Sequence, residues 1–305
     1  FAAVPRSRVQ ELAQERMEQN AQTLLETFPD SGRTGYLLRR TFDEVTQVVD
    51  ELYDELSVSA FRPKFCELEF SARGALPGVA FAGKRCRGVV EGFVDRVDVW
   101  QSGGRPYVRV VDYKTGKKSF DYTNVLHGRG LQMLLYLFAL VRQGGHLLHG
   151  EPLPAGVLYF PARIERVSVR DRLAQAEIEK ERRKQLRRSG VLLNSDPVLE
   201  AMEPCGGSPR FLPYTLDKEG RKTGDLASFA QLAQLERFVF RTVAALGDEL
   251  ADGRIDPDPC IRDAKDSACA FCPYSEVCAG HEQPRWLKKI TAEEFWQTLE
   301  RREHG

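Results

Sequence analysis

Apolar positions recur at helical spacing in two early stretches of the chain. The stretch 7–28, with Val9, Leu12, Leu24, Leu25 and Phe28, reads as one amphipathic helix, and 35–56, with Leu38, Phe42, Val45, Val49 and Leu52, as a second. The set Pro29-Asp30-Ser31-Gly32 between them predicts a turn. From about residue 61 the texture changes to strands, Lys64–Phe70, Arg87–Trp100 and Pro106–Lys114, with glycines between. A buried helix follows over 128–142, then a short apolar strand Gly156–Phe160, helices near 171–188 and 228–250, and a last helix near 291–302. The pattern predicts an α/β core with helical flanks in one domain. Its segments are an N-terminal helical part (1–60), a core sheet and helix (61–165), a helical insertion with flanking helices (166–252) and a tail (253–305).

With 305 residues, 42% of them apolar and 29% charged, the chain buries a sizeable core and reads as soluble globular protein. The longest apolar run, Leu131 to Val141, is too short to span a bilayer and is interrupted by Gln132. No secretory signal pattern opens the sequence, so a cytoplasmic protein with no membrane association is expected. Its first residue is Phe1 rather than Met, which reads as a fragment of something longer. The formal net charge is zero. No global basic field announces a nucleic-acid partner, although a local stripe suffices to hold one.

The sharpest chemical feature is a pair of segments, Gly92 to Asp98 and Val110 to Gly116, joined through Ser102-Gly103-Gly104-Arg105. Gly-Gly tolerates the positive φ of a tight hairpin turn. A turn centred between Gly103 and Gly104 opposes residues whose numbers add to 207, and Asp95 and Asp112 are such a pair. Two facing carboxylates repel, more so among Val94, Val97, Val110 and Val111. A divalent cation turns that repulsion into coordination, and hard oxygen ligands suit Mg²⁺ or Mn²⁺. Lys114 shares the face of Asp112, two residues on. This group is suited to phosphodiester hydrolysis: metal to polarise the phosphate and activate water, lysine to assist. The same residues also read as strand-end carboxylates paired with Arg96, Arg109 or Lys114 on a wet face, and a bulge would break the register. On the next helix, Gln132 and Tyr136 lie four apart on one face of an apolar segment. They read either as a helix rim or as groups reaching a bound water or a DNA phosphate. Glu67 reads as an exposed strand carboxylate or a further metal neighbour.

Seven cysteines, an odd number, fit a disulfide scaffold poorly. Cys269, Cys272 and Cys278 form a CxxC followed by CxxxxxC, a strong metal signal compatible with Zn²⁺ or an iron–sulfur cluster. Cys260 lies nearby, after Asp256-Pro257-Asp258-Pro259, as a candidate fourth ligand or a surface thiol. The five histidines have no ligand spacing. Lys180 to Arg188 is a basic run that reads as a solvated helix face, a track for DNA phosphates or a partner contact.

Asp95, Asp112-Tyr113-Lys114 and Gln132 with Tyr136 resemble the PD-(D/E)xK nuclease superfamily in its RecB-like branch. The surroundings resemble more particularly the C-terminal nuclease domain of B subunits of AddAB-type helicase–nucleases. That similarity is carried by Phe65 to Phe70, Gly92 to Asp98, Val111 to Lys118, Pro154 to Phe160, Ser189 to Leu193, Gly253 to Ile255 and Ala268 to Cys278, so it runs over roughly 35–280. The resemblance implies a restriction-endonuclease-like core that hydrolyses DNA with Mg²⁺ or Mn²⁺, and a helicase–nuclease partner subunit. It implies metal binding by Asp95, Asp112 and the Tyr113 backbone carbonyl, catalysis by Lys114 with Gln132 and Tyr136, and a 4Fe–4S cluster on Cys269, Cys272 and Cys278. Two departures stand out. No cysteine precedes Cys66, and the first histidine is His127, whereas the family carries a cluster cysteine and a Gly…His motif upstream. Both gaps follow if the chain starts after those elements. The fourth cluster ligand is then Cys260, Cys66 or an open position. A non-catalytic scaffold binding DNA or a partner, and a stand-alone CRISPR-associated RecB-like iron–sulfur exonuclease, remain as alternatives. No Walker A pattern occurs, so no ATPase is expected here.

Overall fold

The computed structural model describes residues 4–27, 32–116, 119–163, 175–263, 266–278 and 284–304. In chain order, helices α1 (Arg6–Thr27) and α2 (Gly32–Val58) lead into strands β1 (Arg62–Phe70), β2 (Val79–Ala82), β3 (Arg87–Val90), β4 (Gly92–Ser102) and β5 (Arg105–Lys114). Then come α3 (Tyr122–Leu126), α4 (Gln132–Gln143), α5 (Gly145–Leu148), β6 (Leu153–Pro161), α6 (Gln175–Leu186), β7 (Ser189–Leu193) and α7 (Asp196–Met202). Strands β8 (Tyr214–Leu216), β9 (Lys222–Gly224) and β10 (Leu226–Ala227) precede the long α8 (Phe229–Ala251). Strands β11 (Cys260–Asp263), β12 (Asp266–Ser267) and β13 (Arg285–Trp286) and helix α9 (Ala292–His304) complete the fold. The α/β class read from the sequence is what the chain forms. Phe28, the Pro29–Ser31 part of the expected turn and residues 171–174 lie outside the described residues.

A six-stranded mixed sheet has the order β1-β4-β5-β6-β7-β10. Strands β4 and β5 form an antiparallel hairpin, β5 and β6 run parallel, β6 and β7 antiparallel, and β7 and β10 parallel. The hairpin register runs from Ser102↔Arg105 at the turn to Arg96↔Val111, as the Gly103-Gly104 turn predicts. Both glycines adopt positive φ, 58° and 75°.

Contacts divide the chain into two compact units. One comprises Phe1–Leu68, Val94–Phe120 and Leu140–Ser228; the other comprises Glu69–Phe93, Asp121–Ala139 and Phe229–Gly305. In the first, Val94, Val97, Val108, Val110, Val111, Val157, Leu158, Val191 and Leu192 are all at most 1% exposed. The sheet therefore carries apolar packing on both faces, which explains why its strands do not simply alternate apolar with polar. Strands β6 and β7 approach closely at Gly156, whose φ is 137°. A Cβ there would stand 2.3 Å from the Val191 carbonyl oxygen and 2.8 Å from Leu192 Cα. Gly156→Ala is therefore expected to destabilise the protein by about 2 kcal/mol or more, read as a lower urea midpoint.

In the second unit, Tyr122 packs against Phe295 at 4.9 Å between ring centroids and Phe295 against Trp296 at 5.0 Å, with Phe238 edge-on to Phe295. The Asp248 carboxylate on α8 accepts the backbone N–H groups of Arg85, Lys84 and Cys86 and so closes the β2–β3 turn; these bonds hold its pKa below the ordinary aspartate value.

The structure differs from the sequence reading in these places. The run Arg87–Trp100 is two strands, with β3 leaving the sheet line to pair with β2, which was not foreseen. The helix expected over 128–142 starts at Gln132, because Gly128 and Gly130 sit at φ 75° and 67°, outside helical geometry. Helices α3 and α7 and strands β8 to β10 are too short to leave a periodic signal.

Candidate active site

The hairpin register sets the two faces of the first unit's sheet. Because side chains alternate, Asp95 and Val97 share one face with Asp112 and Val110, and Arg96, Asp98 and Trp100 share the other with Arg109 and Val111. Asp95 and Asp112 are the next positions beyond the last ladder pair, Arg96↔Val111. At that step a side chain takes over from the backbone ladder: Asp95 Oδ2 accepts the Tyr113 N–H at 2.7 Å. Asp112 is 7% exposed, and its carboxylate pairs with the Lys114 ammonium on the same face. Tyr159, opposite Asp112 on β6, is 4% exposed. Burial, and then the Asp112 charge, push its phenol up to about 12, so it stays neutral. Lys114 also stands 5.9 Å above the Tyr159 ring.

The opposite face is the feature that the sequence reading missed. Arg96 and Arg109, which the sequence offers as partners of Asp95 and Asp112, face away and are buried with other carboxylates. Arg109 donates to Asp98 and to Glu55 of α2, both at 2.8 Å. Arg188 donates to Glu55 at 2.6 Å and 3.0 Å and to Glu51 at 3.2 Å. Arg96 pairs with Asp98 at 2.8 Å and donates to the Tyr113 hydroxyl at 2.6 Å. None of Glu51, Glu55, Arg96, Asp98, Arg109 and Arg188 exceeds 5% exposure. Burial alone would raise the Glu55 carboxyl, but Arg188, Arg109 and Arg96 together hold it down at about 2. The network ties α2 to the back of the strand that presents Asp112 and Lys114. Its one sequence signal is three charges, Arg96, Asp98 and Arg109, placed among valines in strands buried on both faces.

Gln132 and Tyr136 belong to the second unit. Tyr136 is 2% exposed, stacks on Phe70 at 4.9 Å and donates to the Glu91 carbonyl at 3.4 Å. Burial raises its pKa, with a hydrogen bond from Gln132 acting in the other direction. Glu67 is exposed, with a left-handed φ of 51°.

The cysteine segment makes the tight turn that CxxC requires, with the Cys272 N–H donating to the Cys269 carbonyl at 3.2 Å. Cys260 lies on β11, and its Sγ accepts from Arg285 at 3.0 Å. Among the described residues, no three His, Cys, Asp or Glu side chains stand together as a metal-holding group. The expected 4Fe–4S cluster on Cys269, Cys272 and Cys278, with Cys260 as a candidate fourth ligand, thus finds no support among the described residues. That absence covers Asp95 and Asp112 as well, two hard carboxylates whose chemistry suits Mg²⁺ or Mn²⁺.

A mixed sheet bearing two carboxylates and a lysine at the end of a hairpin is compatible with phosphodiester hydrolysis. A family model of the PD-(D/E)XK nuclease superfamily matches residues 2–279, and the chain belongs to that superfamily. Among curated relatives, it is 35% identical over 258 residues to the B subunit of the ATP-dependent helicase/deoxyribonuclease of Moorella thermoacetica, covering 83% of this chain and 22% of that protein. It is 28% identical over 281 residues to the B subunit of the same name from Thermoanaerobacter sp., covering 89% of this chain and 24% of that protein. The Oceanobacillus iheyensis protein of that name matches at 28% over 257 residues, 81% of this chain and 22% of its own length. The chain thus spans under a quarter of the length of these relatives. No helix among the described residues is long and apolar enough to cross a membrane.

Proposed function

We propose that this chain is the DNA-cutting module of a cytoplasmic helicase–nuclease, hydrolysing phosphodiesters with Mg²⁺ or Mn²⁺ during DNA end processing for recombinational repair. The observation that carries the reading is the grouping of Asp95, Asp112 and Lys114 on one face at the end of the β4–β5 ladder. The names of the relatives supply the helicase context and the partner subunit.

Asp95 and Asp112 would hold the cation, with the Tyr113 carbonyl on β5 as a further oxygen. When bound, the ion supplies Lewis-acid polarisation of the phosphate and a more acidic water. The chain's own residues do the rest. The Tyr113 N–H fixes the Asp95 carboxylate in place. Lys114, anchored beside Asp112, offers an ammonium to the charge that builds on the phosphoryl oxygens. Neutral Tyr159 and the buried valines keep that face poor in water, which strengthens the lysine's effect.

The test is cleavage of end-labelled linear single- and double-stranded DNA in Mg²⁺ and in Mn²⁺. Lys114→Ala is expected to slow cleavage by roughly 10²–10³-fold while Mn²⁺ binding, followed by titration, is retained. Wild-type protein that binds Mn²⁺ and cuts neither substrate would reject the reading in favour of a non-catalytic scaffold.

A further inference from the structure

The basic run that precedes β7 splits at its end. Arg182, Arg183 and Lys184 pair with Glu179 and Glu181 within α6, a solvated helix face. The next two arginines point to opposite sides of the sheet. Arg188 enters the buried network, and Arg187 turns to the side of Asp112. There it helps line a cavity of about 440 Å³ with Lys114, Thr115, Ser119, Tyr159, Arg163 and Ser189. The register explains why this cavity is continuous with the site. Asp112 pairs with Tyr159, Lys114 with Pro161, and Tyr159 with Ser189, so the site face of β5 extends across β6 to β7.

Among the described residues the charge of the cavity is unbalanced. No carboxylate is among its described lining residues. Lys114 is offset by Asp112, whereas Arg187 and Arg163 form no ion pair among the described residues. The Arg187 guanidinium is instead held by two carbonyls, Leu212 at 3.0 Å through Nε and Tyr214 through Nη2. Carbonyls orient a guanidinium without cancelling its charge, so this cation is fixed in a residue that shares the cavity wall with Lys114. Hydroxyls of Thr115 and Ser119 share the wall.

We propose that this cavity is a phosphate-binding subsite, in which Arg187 and Arg163 hold a phosphate of the DNA strand next to the scissile one. The inference rests on the nuclease reading above and adds the residues that position the strand. Its ligand is a phosphate group, either a diester within the strand or a monoester at its end. Arg187 and Arg163 are positioning residues. They act on where the strand lies, and Lys114 acts on the reacting phosphoryl group.

The test measures binding by fluorescence anisotropy in EDTA, over a salt series, with a labelled single-stranded oligonucleotide bearing a terminal phosphate or a terminal hydroxyl. The variants are Arg163→Ala, Arg187→Gln and, as a control on the solvated face, Arg183→Ala. Each subsite variant is expected to weaken binding and to reduce the slope of log K against log salt by about 0.7 per lost phosphate contact, with the control unchanged. Arg187→Gln releases two carbonyls and can unfold the local strand, so Arg163→Ala, an exposed position, carries the test if Arg187→Gln melts early. A loss confined to the phosphorylated oligonucleotide assigns the monoester, and an equal loss with both assigns the diester. In cleavage assays the same variants are expected to raise KM more than they lower kcat. Wild-type cleavage with unaltered binding and salt slope in both variants overturns the subsite and leaves the nuclease reading intact. Weakened binding by the variants in a protein that cuts nothing keeps the subsite and rejects the nuclease reading. A wild-type chain that binds neither oligonucleotide overturns both.

Discussion

Asp112→Ala is expected to abolish metal-dependent DNA cleavage while leaving the protein folded. Asp112 is the least exposed member of the proposed site and the one that Lys114 pairs with, so its loss removes a cation ligand and frees the lysine at once. Metal stabilisation of transition-state charge is worth several kcal/mol, and each 1.36 kcal/mol is tenfold in rate. A fall on the order of 10³-fold or more is therefore expected. The stability change should be small or favourable, because the substitution also relieves repulsion between two carboxylates on one face. Parallel assays of cleavage and thermal melting check both parts. Wild-type cutting by the variant would reject the site assignment, and an unfolded variant would show that Asp112 serves the fold instead.

Glu55→Gln should have the largest effect on stability. Glu55 is 1% exposed and is shared by Arg109 and Arg188, with Arg96 within 4.0 Å. Removing one member of a buried ionic group leaves its partners uncompensated, at about 3–5 kcal/mol, or a drop in melting temperature on the order of 10 °C. The sign of the pH dependence follows from the depressed carboxyl. Folded, Glu55 ionises at about 2 against an ordinary 4.5, so its contribution is fully present above that ordinary value. It is lost as pH falls from there toward 2. Wild-type stability should decline through that window more steeply than that of Glu55→Gln. Parallel acid-unfolding curves for the two proteins would show that the network is not what holds α2 to the sheet.

The candidate site was legible because its geometry is local. Two glycines fix a turn, the turn fixes a register, and the register puts Asp95 and Asp112 on one face with Lys114. The other face was not legible, since Glu51 and Glu55 lie about forty residues upstream of Arg96 and Asp98, on a helix read from its apolar positions alone. Only the tertiary fold shows that they enter the core to meet Arg96, Arg109 and Arg188. The break at Glu91 and Gly92 was hidden for a different reason. Both pieces have strand composition, and nothing local says that β3 changes partner from the main sheet to β2. For Cys269, Cys272 and Cys278, spacing could not forecast a fourth thiolate, because that depends on where distant chain returns.

The ionic layer behind the β4–β5 hairpin has a consequence for heat. Hydration of charged groups weakens as temperature rises, so the penalty for keeping them out of water shrinks, while stabilisation from apolar contact levels off. The six buried charges that brace α2 against the back of β4 and β5 should therefore hold the scaffold of the proposed site relatively better in warm solution than in cold. This makes the β4–β5 face that carries the candidate site a part of the molecule that tightens, in relative terms, on warming.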